Sequence, residues 1–159
     1  MTDYGLTKAQ VREVAKACQA VITKSAETQT VYLRHRTGRT EDPSGRPVNT
    51  GAAVTLGPYK ARVTEIVEAN PYVLRSIGTN LGSADFDLFL RGKTILEFKD
   101  DLDIESKEEV LFYVKVGTEY LIYEPFKLED QLMCNRDLVG EELITYYVTA
   151  KLYGKATSL

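Results

Sequence analysis

The chain has 159 residues, a formal net charge of −3 and a pI of about 5.3, and 43% of its residues are hydrophobic. This length and composition are typical of one globular domain that buries a core without metals or disulfides. The mild acidity excludes a surface that is basic throughout, as in a general nucleic-acid binder, but it allows a local basic patch.

Only two cysteines occur, Cys18 and Cys134, and their spacing matches no metal-ligand motif. The sequence therefore predicts two reduced thiols in a cytoplasmic protein. The opening stretch MTDYGLTKAQ lacks the basic and apolar regions of a signal peptide. No run approaches the length of a membrane-spanning helix, so we expect the protein to stay soluble.

An amphipathic helix is predicted over residues 6–24. Thr7 and Gln10 have the spacing of a capping box at its start. Apolar residues then recur at steps of three and four, which is typical of one helical face: Val11, Val14, Cys18, Val21 and Ile22. We predict that this face packs on the domain's own sheet or, alternatively, on a helix of a neighbouring subunit.

Strand character follows, and we predict a single domain, 1–159, whose residues 28–153 form the β-structure. In TVYLRHR, alternate residues predict the two faces of one strand. Val31, Leu33 and His35 lie on one face, and Tyr32, Arg34 and Arg36 lie on the other. YKARVTEIV predicts a second strand, without a clear choice of buried face. NPYVLRSIGTNLGSAD is predicted to be a mobile connection with at most a short helix over residues 72–77.

Tight turns divide the C-terminal half into short strands. DFDLFLRGKTILEFKDD predicts two strands around Arg91, Gly92 and Lys93, and EEVLFYVKVGTEYLIYEPF predicts two more around Gly117 and Thr118. The last strand, ELITYYVTAKLYG, places apolar residues on one face: Ile144, Tyr146, Val148, Ala150 and Leu152. The predicted fold class is mainly β with an N-terminal helix, as a small antiparallel β-barrel or a bent sheet.

Residues 36–58 are predicted to form a long projecting loop. Its RTGRTEDPSGRPVNTG stretch is rich in glycine, proline and charge and has few apolar anchors, so we expect it to be mobile in the isolated chain. Three interpretations are open: a disordered loop, a nucleic-acid arm, or an ordered contact with partner subunits. The candidate contact residues are Arg34, Arg36, Arg39, Arg46 and Val48.

No catalytic, cofactor-binding or metal site is predicted, because GxSxG, Walker, GxGxxG and HExxH motifs do not occur. The sole histidine, His35, is interpreted as a surface or inter-strand side chain. The acidic run KDDLDIESKEE offers four carboxylates to a hard cation: Asp100, Asp101, Asp103 and Glu105. It lacks the glycine and the terminal glutamate of a calcium loop, so a solvated linker is the preferred interpretation.

The order of these elements resembles the head–tail connector (neck) proteins of tailed bacteriophages, especially the stopper or head-closure class. The similar part is residues 86–153, with the stretches FDLFLRGKTILEF, GTEYLIYEPF and ITYYVTAKLYG. It covers under half of the chain. The N-terminal helix departs from the most compact stoppers, so an adaptor or a tail-terminator ring protein is an alternative within the neck.

The resemblance implies a structural virion protein, not an enzyme, that forms a ring between the portal side of the capsid and the tail and helps to retain packaged DNA. The implied partners are further copies of the chain, portal or adaptor proteins, tail proteins and, by non-specific contact, DNA. No cofactor and no membrane are implied. The implied location is the virion neck, after assembly in the host cytoplasm. A small β-barrel that binds a ligand or DNA is the alternative from another class.

Overall fold

The structure is a computed structural model that describes residues 7–24, 28–36, 39–41, 43–49, 53–68, 73, 89–128, 130–139 and 141–159. These residues form one α-helix, a short 3₁₀ helix (Ile104–Ser106) and eleven strands. In chain order they are α1 (Lys8–Lys24), β1 (Thr28–Arg36), β2 (Arg39–Glu41), β3 (Pro47–Asn49), β4 (Ala53–Glu65), β5 (Thr94–Phe98), β6 (Glu108–Val116), β7 (Glu119–Pro125), β8 (Lys127–Leu128), β9 (Gln131–Leu132), β10 (Cys134–Val139) and β11 (Glu142–Ala156).

Six strands close into an antiparallel barrel in the order β11-β5-β4-β1-β6-β7, and β7 pairs back to β11. The long strand β11 makes this closure, because its first part pairs with β5 and β10 and its last part pairs with β7. Strand β10 is an extra strand beside the barrel. The predicted fold class is confirmed, and the barrel rather than the open bent sheet is the correct alternative.

The barrel core follows from alternating side chains. Val31 and Leu33 are fully buried on β1, as predicted. On β11 the predicted face is buried from Ile144 to Ala150, but Leu152 is 53% exposed. The reason is a register shift between Leu152 and Gly154 against β7, which interrupts the alternation.

A second apolar cluster covers the outer side of the barrel at β5 and β11. It consists of Ile66, Val73, Leu90, Ile95 and Tyr147. Every side chain of β5 is therefore buried, on both faces of the strand. The predicted mobile connection lies outside the described residues except for Val73, which is 2% exposed.

Helix α1 lies against β11, β4 and β1. The capping box is confirmed: the Thr7 N–H donates to Gln10 Oε1 at 2.9 Å, and the Gln10 N–H donates to Thr7 Oγ1 at 3.2 Å. The helix begins at Lys8 rather than at residue 6. Near its other end, Gln19 Nε2 donates to the Leu143 carbonyl at 3.0 Å.

The predicted packing face of the helix is only partly correct. Val11 is 1% exposed and Ala15 is 5% exposed, so these residues, one turn apart, form the buried contact. Val14 and Cys18 are exposed, and the prediction that they pack on the domain's own sheet is wrong. The side chain of Val21 lies outside the described part. That the exposed positions contact a neighbouring subunit stays a prediction.

The predicted loop over residues 36–58 is largely a hairpin. Strands β1 and β4 remain paired up to Arg36 and Ala53. Beyond that point β2 and β3 pair with each other and form a separate two-stranded sheet. The turn between them contains Gly45 at φ 82°, a left-handed conformation that glycine adopts readily. The sequence pattern did not predict this hairpin, because its short strands have no apolar alternation.

Two other predictions need correction. Phe89 and Leu90 are helical, so the predicted strand before Gly92 does not reach the turn, and β5 instead pairs with β4 and β11. The hairpin of β6 and β7 around Gly117 and Thr118 is confirmed. Strands β8, β9 and β10 were not predicted.

Candidate functional site

A groove opens on the barrel where the hairpin leaves it. Strands β1 and β6 change register between Arg34 and Arg36, and Glu109 on β6 has φ 50°. Such irregularities bend a strand and redirect its side chains. The resulting groove has a volume of about 540 Å³ and is lined by residues that include Arg34, Arg36, Glu109, Tyr113, Glu124 and Tyr153. We call it the hairpin groove.

The two arginines of the groove are bound differently. Arg36 Nε lies 3.0 Å from Glu109 Oε2, in an ion pair whose two side chains are about half exposed. Such a pair contributes little to stability, roughly 0–1 kcal/mol. Arg34 is half-buried, and its Nη1 donates to the Tyr113 hydroxyl at 3.4 Å while its Cζ lies 5.9 Å from the centroid of the same ring. Among the described residues, the partner of Arg34 is thus an aromatic side chain and not a carboxylate.

The remaining side chains of the groove include carboxylates, tyrosines and a histidine. Within the described chain, the lining contains no serine, threonine, cysteine or lysine, which are common catalytic nucleophiles. His35 also lines the groove, but it is only 8% exposed and its Nδ1 lies 3.4 Å from the Arg36 carbonyl oxygen. It is therefore a mostly buried strand residue and not a surface histidine.

The structure separates the predicted loop residues into two groups. Arg34 and Arg36 line the groove. Arg39 lies on β2 opposite Asn49, and Val48 lies on β3 opposite Thr40, but their side chains are outside the described part. Arg46 is exposed in the turn before β3. The five candidates thus mark the groove and the hairpin that extends from it.

A second polar site, the Arg136 cluster, lies at the unpredicted strand β10. Arg136 Nε and Nη2 donate to the two carboxylate oxygens of Asp101 at 2.7 and 2.9 Å. Arg136 Nη1 and Nη2 donate to the two oxygens of Glu105, both at 3.0 Å. Asp103 lies 3.7 Å from Nη2, and the guanidinium carbon is 4.8 Å from the Tyr146 ring centroid. Paired, forked contacts of this kind are strong and directional.

Two further groups complete the Arg136 cluster. The Cys134 thiol donates to Glu105 Oε1 at 2.9 Å, and the Tyr146 hydroxyl donates to the same oxygen at 3.3 Å. The Tyr146 hydroxyl also accepts the Ile104 N–H at 3.3 Å. The cluster therefore links the segment after β5 to strands β10 and β11.

The cluster shifts the ionisation of its members. Burial opposes the charge on Glu105, but hydrogen bonds from Arg136 and Cys134 outweigh it and lower the pKa of Glu105 to about 2. The hydrogen bond from Arg136 also lowers the pKa of Asp101. Burial and then the hydrogen bond to Glu105 raise the pKa of Cys134 to about 11. Burial raises the pKa of Tyr146 as well.

The acidic run after β5 is therefore more than a solvated linker. Leu102 and Ile104 are 5% and 1% exposed and belong to the barrel core, while the neighbouring carboxylates meet Arg136. Among the described residues, no group of three or more histidine, cysteine, aspartate or glutamate side chains is placed to hold a metal ion. The alternation of acidic and apolar residues was visible in the sequence, but the partner arginine lies far along the chain.

Comparison with known proteins adds no relative. No family model matches the sequence, and no curated protein or solved structure is significantly similar to the chain. In the described part of the chain, no helix has the length and apolar character needed to cross a membrane. The function is therefore inferred from the geometry of the chain itself.

Proposed function

We propose that the chain is a structural subunit of a ring in the neck of a tailed bacteriophage, where it joins the portal side of the capsid to the tail and helps to retain packaged DNA. One observation carries this proposal. Between strands β1 and β4 of the closed barrel, the chain forms a separate hairpin of β2 and β3, and this part of the sequence bears Arg39 and Arg46. The chain thus combines a rigid body with an arginine-bearing projection.

Such a projection suits a ring subunit. A ring of identical chains needs a heterologous interface, in which one surface of each copy meets a different surface of the next. Arginine makes forked contacts with carboxylates and with phosphates. Contacts to phosphates alone carry no base specificity, which suits a channel through which DNA of any sequence passes.

The closed barrel suits the same role. A six-stranded barrel has few free strand edges, and the described edge strand β10 is tied to the core by the Arg136 cluster. The ion pairs and hydrogen bonds of that cluster join segments far apart in sequence. A subunit that resists internal pressure benefits from such a stiff body.

The direct test is to locate the chain in virions of the phage that encodes it. Mass spectrometry of purified particles should detect the chain, and immunogold label should lie at the head–tail junction. Label at the capsid side or the tail side of the neck would separate a stopper from an adaptor or a tail terminator. Intact virions that contain no trace of the chain would reject the proposal.

A variant test addresses the hairpin itself. Virions assembled with R39E/R46E should accumulate as DNA-filled heads that fail to join tails or that lose their DNA. K155E, which reverses an exposed charge on β11, is the matched control and should give normal particles. Normal yields of infectious virions with R39E/R46E would exclude a role for these arginines.

The alternative from another class is a small β-barrel that binds a ligand. One observation favours it: the volume of the hairpin groove, about 540 Å³, is within the usual range for small-molecule sites, roughly 300–1,000 Å³. Its lining is more charged than such sites usually are. This alternative leads if the chain is absent from virions, and salt-dependent binding of the free chain to duplex DNA would instead support a DNA-binding protein.

A further inference from the structure

We infer that the outer face of strands β4, β1, β6 and β7 binds a single-stranded nucleic acid. The bases stack on tyrosine rings of this face, and the phosphates meet the basic side chains around the rings. The surface, which we call the tyrosine face, consists of Tyr32, Tyr113, Tyr120, Arg34, Lys60 and Lys115. The inference goes beyond the neck proposal and does not depend on it, because it concerns the isolated chain.

Strand alternation directs the three tyrosines away from the barrel core. Val31 and Leu33 belong to the core, so Tyr32 between them points outward. The neighbours of Tyr113 on β6 are also core residues, and the next residue after Tyr120 packs on the core from the other face of β7. Strands β1, β6 and β7 are adjacent in the barrel, and the three rings therefore lie side by side on its outer surface.

The rings form one aromatic cluster. The Tyr120 ring centroid lies 6.2 Å from that of Tyr32 and 6.4 Å from that of Tyr113, with interplanar angles of 70° and 69°. These are edge-to-face contacts, which hold aromatic rings in a fixed relative orientation. Tyr113 is 7% exposed and supports the cluster from within, whereas Tyr32 and Tyr120 are only half-buried. The last two rings therefore keep open surface for a ligand.

A bulge in β4 leaves one side of the Tyr32 ring open. Two residues of β4, Gly57 and Pro58, lie opposite Tyr32 where the register of β1 and β4 shifts, and both are exposed. Gly57 has φ 119°, and a Cβ at this position would lie 3.4 Å from Tyr32 Cδ1. Because glycine has no side chain, nothing from residue 57 covers the ring. The space beside Tyr32 suits a flat group such as a nucleobase.

Basic side chains lie at both ends of the cluster. Lys60 is paired with Thr30 and donates from Nζ to its Oγ1 at 2.9 Å, and Lys115 is paired with Tyr120. Arg34 lies at the opposite end of the cluster, with its Cζ 5.9 Å from the centroid of the Tyr113 ring. Among the described residues, none of these three cations forms an ion pair. Their charges are therefore available to an anionic ligand.

The charge of this face differs from that of the whole chain. The chain carries a formal net charge of −3, yet the tyrosine face contains three cations and no carboxylate. On the adjoining part of β7, Glu124 stands opposite Lys151 of β11. Cations around stacked aromatic rings are the arrangement that binds single-stranded nucleic acids, through phosphates and base stacking together. A duplex keeps its bases inside the helix, so the tyrosine rings favour a single strand.

Ring substitutions test the stacking contact. Fluorescence anisotropy measures binding of the purified chain to a labelled oligothymidine of about 12 nucleotides, since single-strand sites span roughly 4–16 nucleotides. Y32L should weaken binding about tenfold, whereas Y32F, which keeps the ring, should bind within about twofold of the wild type. F89L is the matched control, because Phe89 is 37% exposed and lies outside the tyrosine face. It should bind as the wild type does.

Lysine substitutions test the phosphate contact. K60Q/K115Q removes two cations, so binding should weaken, and the slope of log K against log salt concentration should become shallower by about 1.4. K8Q/K16Q removes two exposed lysines of α1 and is the matched control. It should leave both the affinity and the slope unchanged.

Three outcomes would overturn the inference. They are a wild type that binds no oligothymidine up to about 100 μM, a folded Y32L that binds as tightly as the wild type, and a duplex of equal length that binds as tightly as the single strand. The last outcome would show contact with phosphates alone. Circular dichroism verifies that each variant is folded, and Y120L with its partner Y120F replaces the Tyr32 pair if Y32L is not.

Virion labelling separates the two proposals. If the chain is found in the neck but binds no oligothymidine, the ring function stands and the tyrosine face is not a nucleic-acid site. If the Tyr32 and lysine variants lose binding as expected but the chain is absent from virions, the binding site stands and the neck function is wrong.

Discussion

The Arg136 cluster and the hairpin groove contain similar side chains in opposite circumstances. In the cluster, one guanidinium meets Asp101 and Glu105 through paired hydrogen bonds, and the Cys134 thiol and the Tyr146 hydroxyl supply further donors. In the groove, Arg36 forms one half-exposed ion pair with Glu109, and Arg34 meets the Tyr113 side chain. The cluster is a connected network, whereas the groove holds separate single contacts.

This difference determines how much each site contributes to the stability of the fold. A polar network whose members are all hydrogen-bonded holds segments in place, and losing one member leaves the others buried without partners. A partly exposed side chain with a single contact contributes less to folding. Mutations in the cluster should therefore affect stability more than mutations in the groove.

The largest effect is expected at Arg136. R136M keeps an aliphatic stem but removes every guanidinium contact, including the one over the Tyr146 ring, so Asp101, Asp103 and Glu105 are left without this cation. We expect the free energy of unfolding to fall by about 2–3 kcal/mol, measured by urea denaturation. R34M removes one arginine that contacts only Tyr113, and it should lower the same quantity by less than about 1 kcal/mol. Equal losses in the two variants would contradict the distinction.

The second-largest effect on stability is expected when acid protonates the carboxylates of the Arg136 cluster. The folded-state pKa of Glu105 is about 2, below its ordinary value of 4.5, and the pKa of Asp101 is also lowered. Depressed carboxylates stabilise the fold above their ordinary pKa, and this contribution is lost as the pH falls from about 4.5 towards 2. Because Glu105 is about one-third exposed, we expect a loss of only about 1–2 kcal/mol.

The acid prediction is verified by measuring thermal unfolding between pH 6 and pH 2. E105Q should flatten the curve below pH 4.5, since one of the depressed carboxylates is gone. E119Q, which removes an exposed carboxylate on β7, should leave the curve unchanged. A wild type and an E105Q variant with the same slope would show that the cluster does not control acid stability.

The sequence predicted the barrel better than the sites. Alternation identified β1, β6, β7 and β11, because each presents an apolar face to one core. The hairpin of β2 and β3 was not predicted, since its two short strands pair with each other in a separate sheet and have no apolar alternation. On α1, periodicity placed Val11 correctly, but small Ala15 is buried and larger Val14 is exposed, so the predicted face is only partly correct.

The sites were less predictable because they depend on contacts distant in sequence. The acidic run was recognised, but its partner Arg136 lies on a strand that the pattern did not reveal. Arg34 and Arg36 were chosen for their charge, whereas Glu124 joins them through the pairing of β6 with β7 and Tyr153 through the pairing of β7 with β11. No local motif marks either of these two residues as a binding residue.

A smaller effect on stability is expected at Cys134. C134A removes the thiol that donates to Glu105, and we expect a loss of about 1 kcal/mol. C18A, on the exposed side of α1, is the matched control and should change stability by less than about 0.5 kcal/mol. Because the Cys134 pKa is raised from 9.0 to about 11, its stabilising effect is present below pH 9 and is lost as the pH rises towards 11. Destabilisation between pH 9 and pH 11 that persists in C134A would assign it to other groups.

The smallest effect on folding, and the clearest contrast, is expected at Glu124. E124Q removes a half-buried charge that forms no ion pair among the described residues, although Lys151 lies opposite it on β11. The free energy of unfolding should therefore stay within about 0.5 kcal/mol of the wild type. Chemical denaturation measures this quantity. If E124Q instead destabilises the chain as strongly as E105Q does, then Glu124 has a structural role within the barrel.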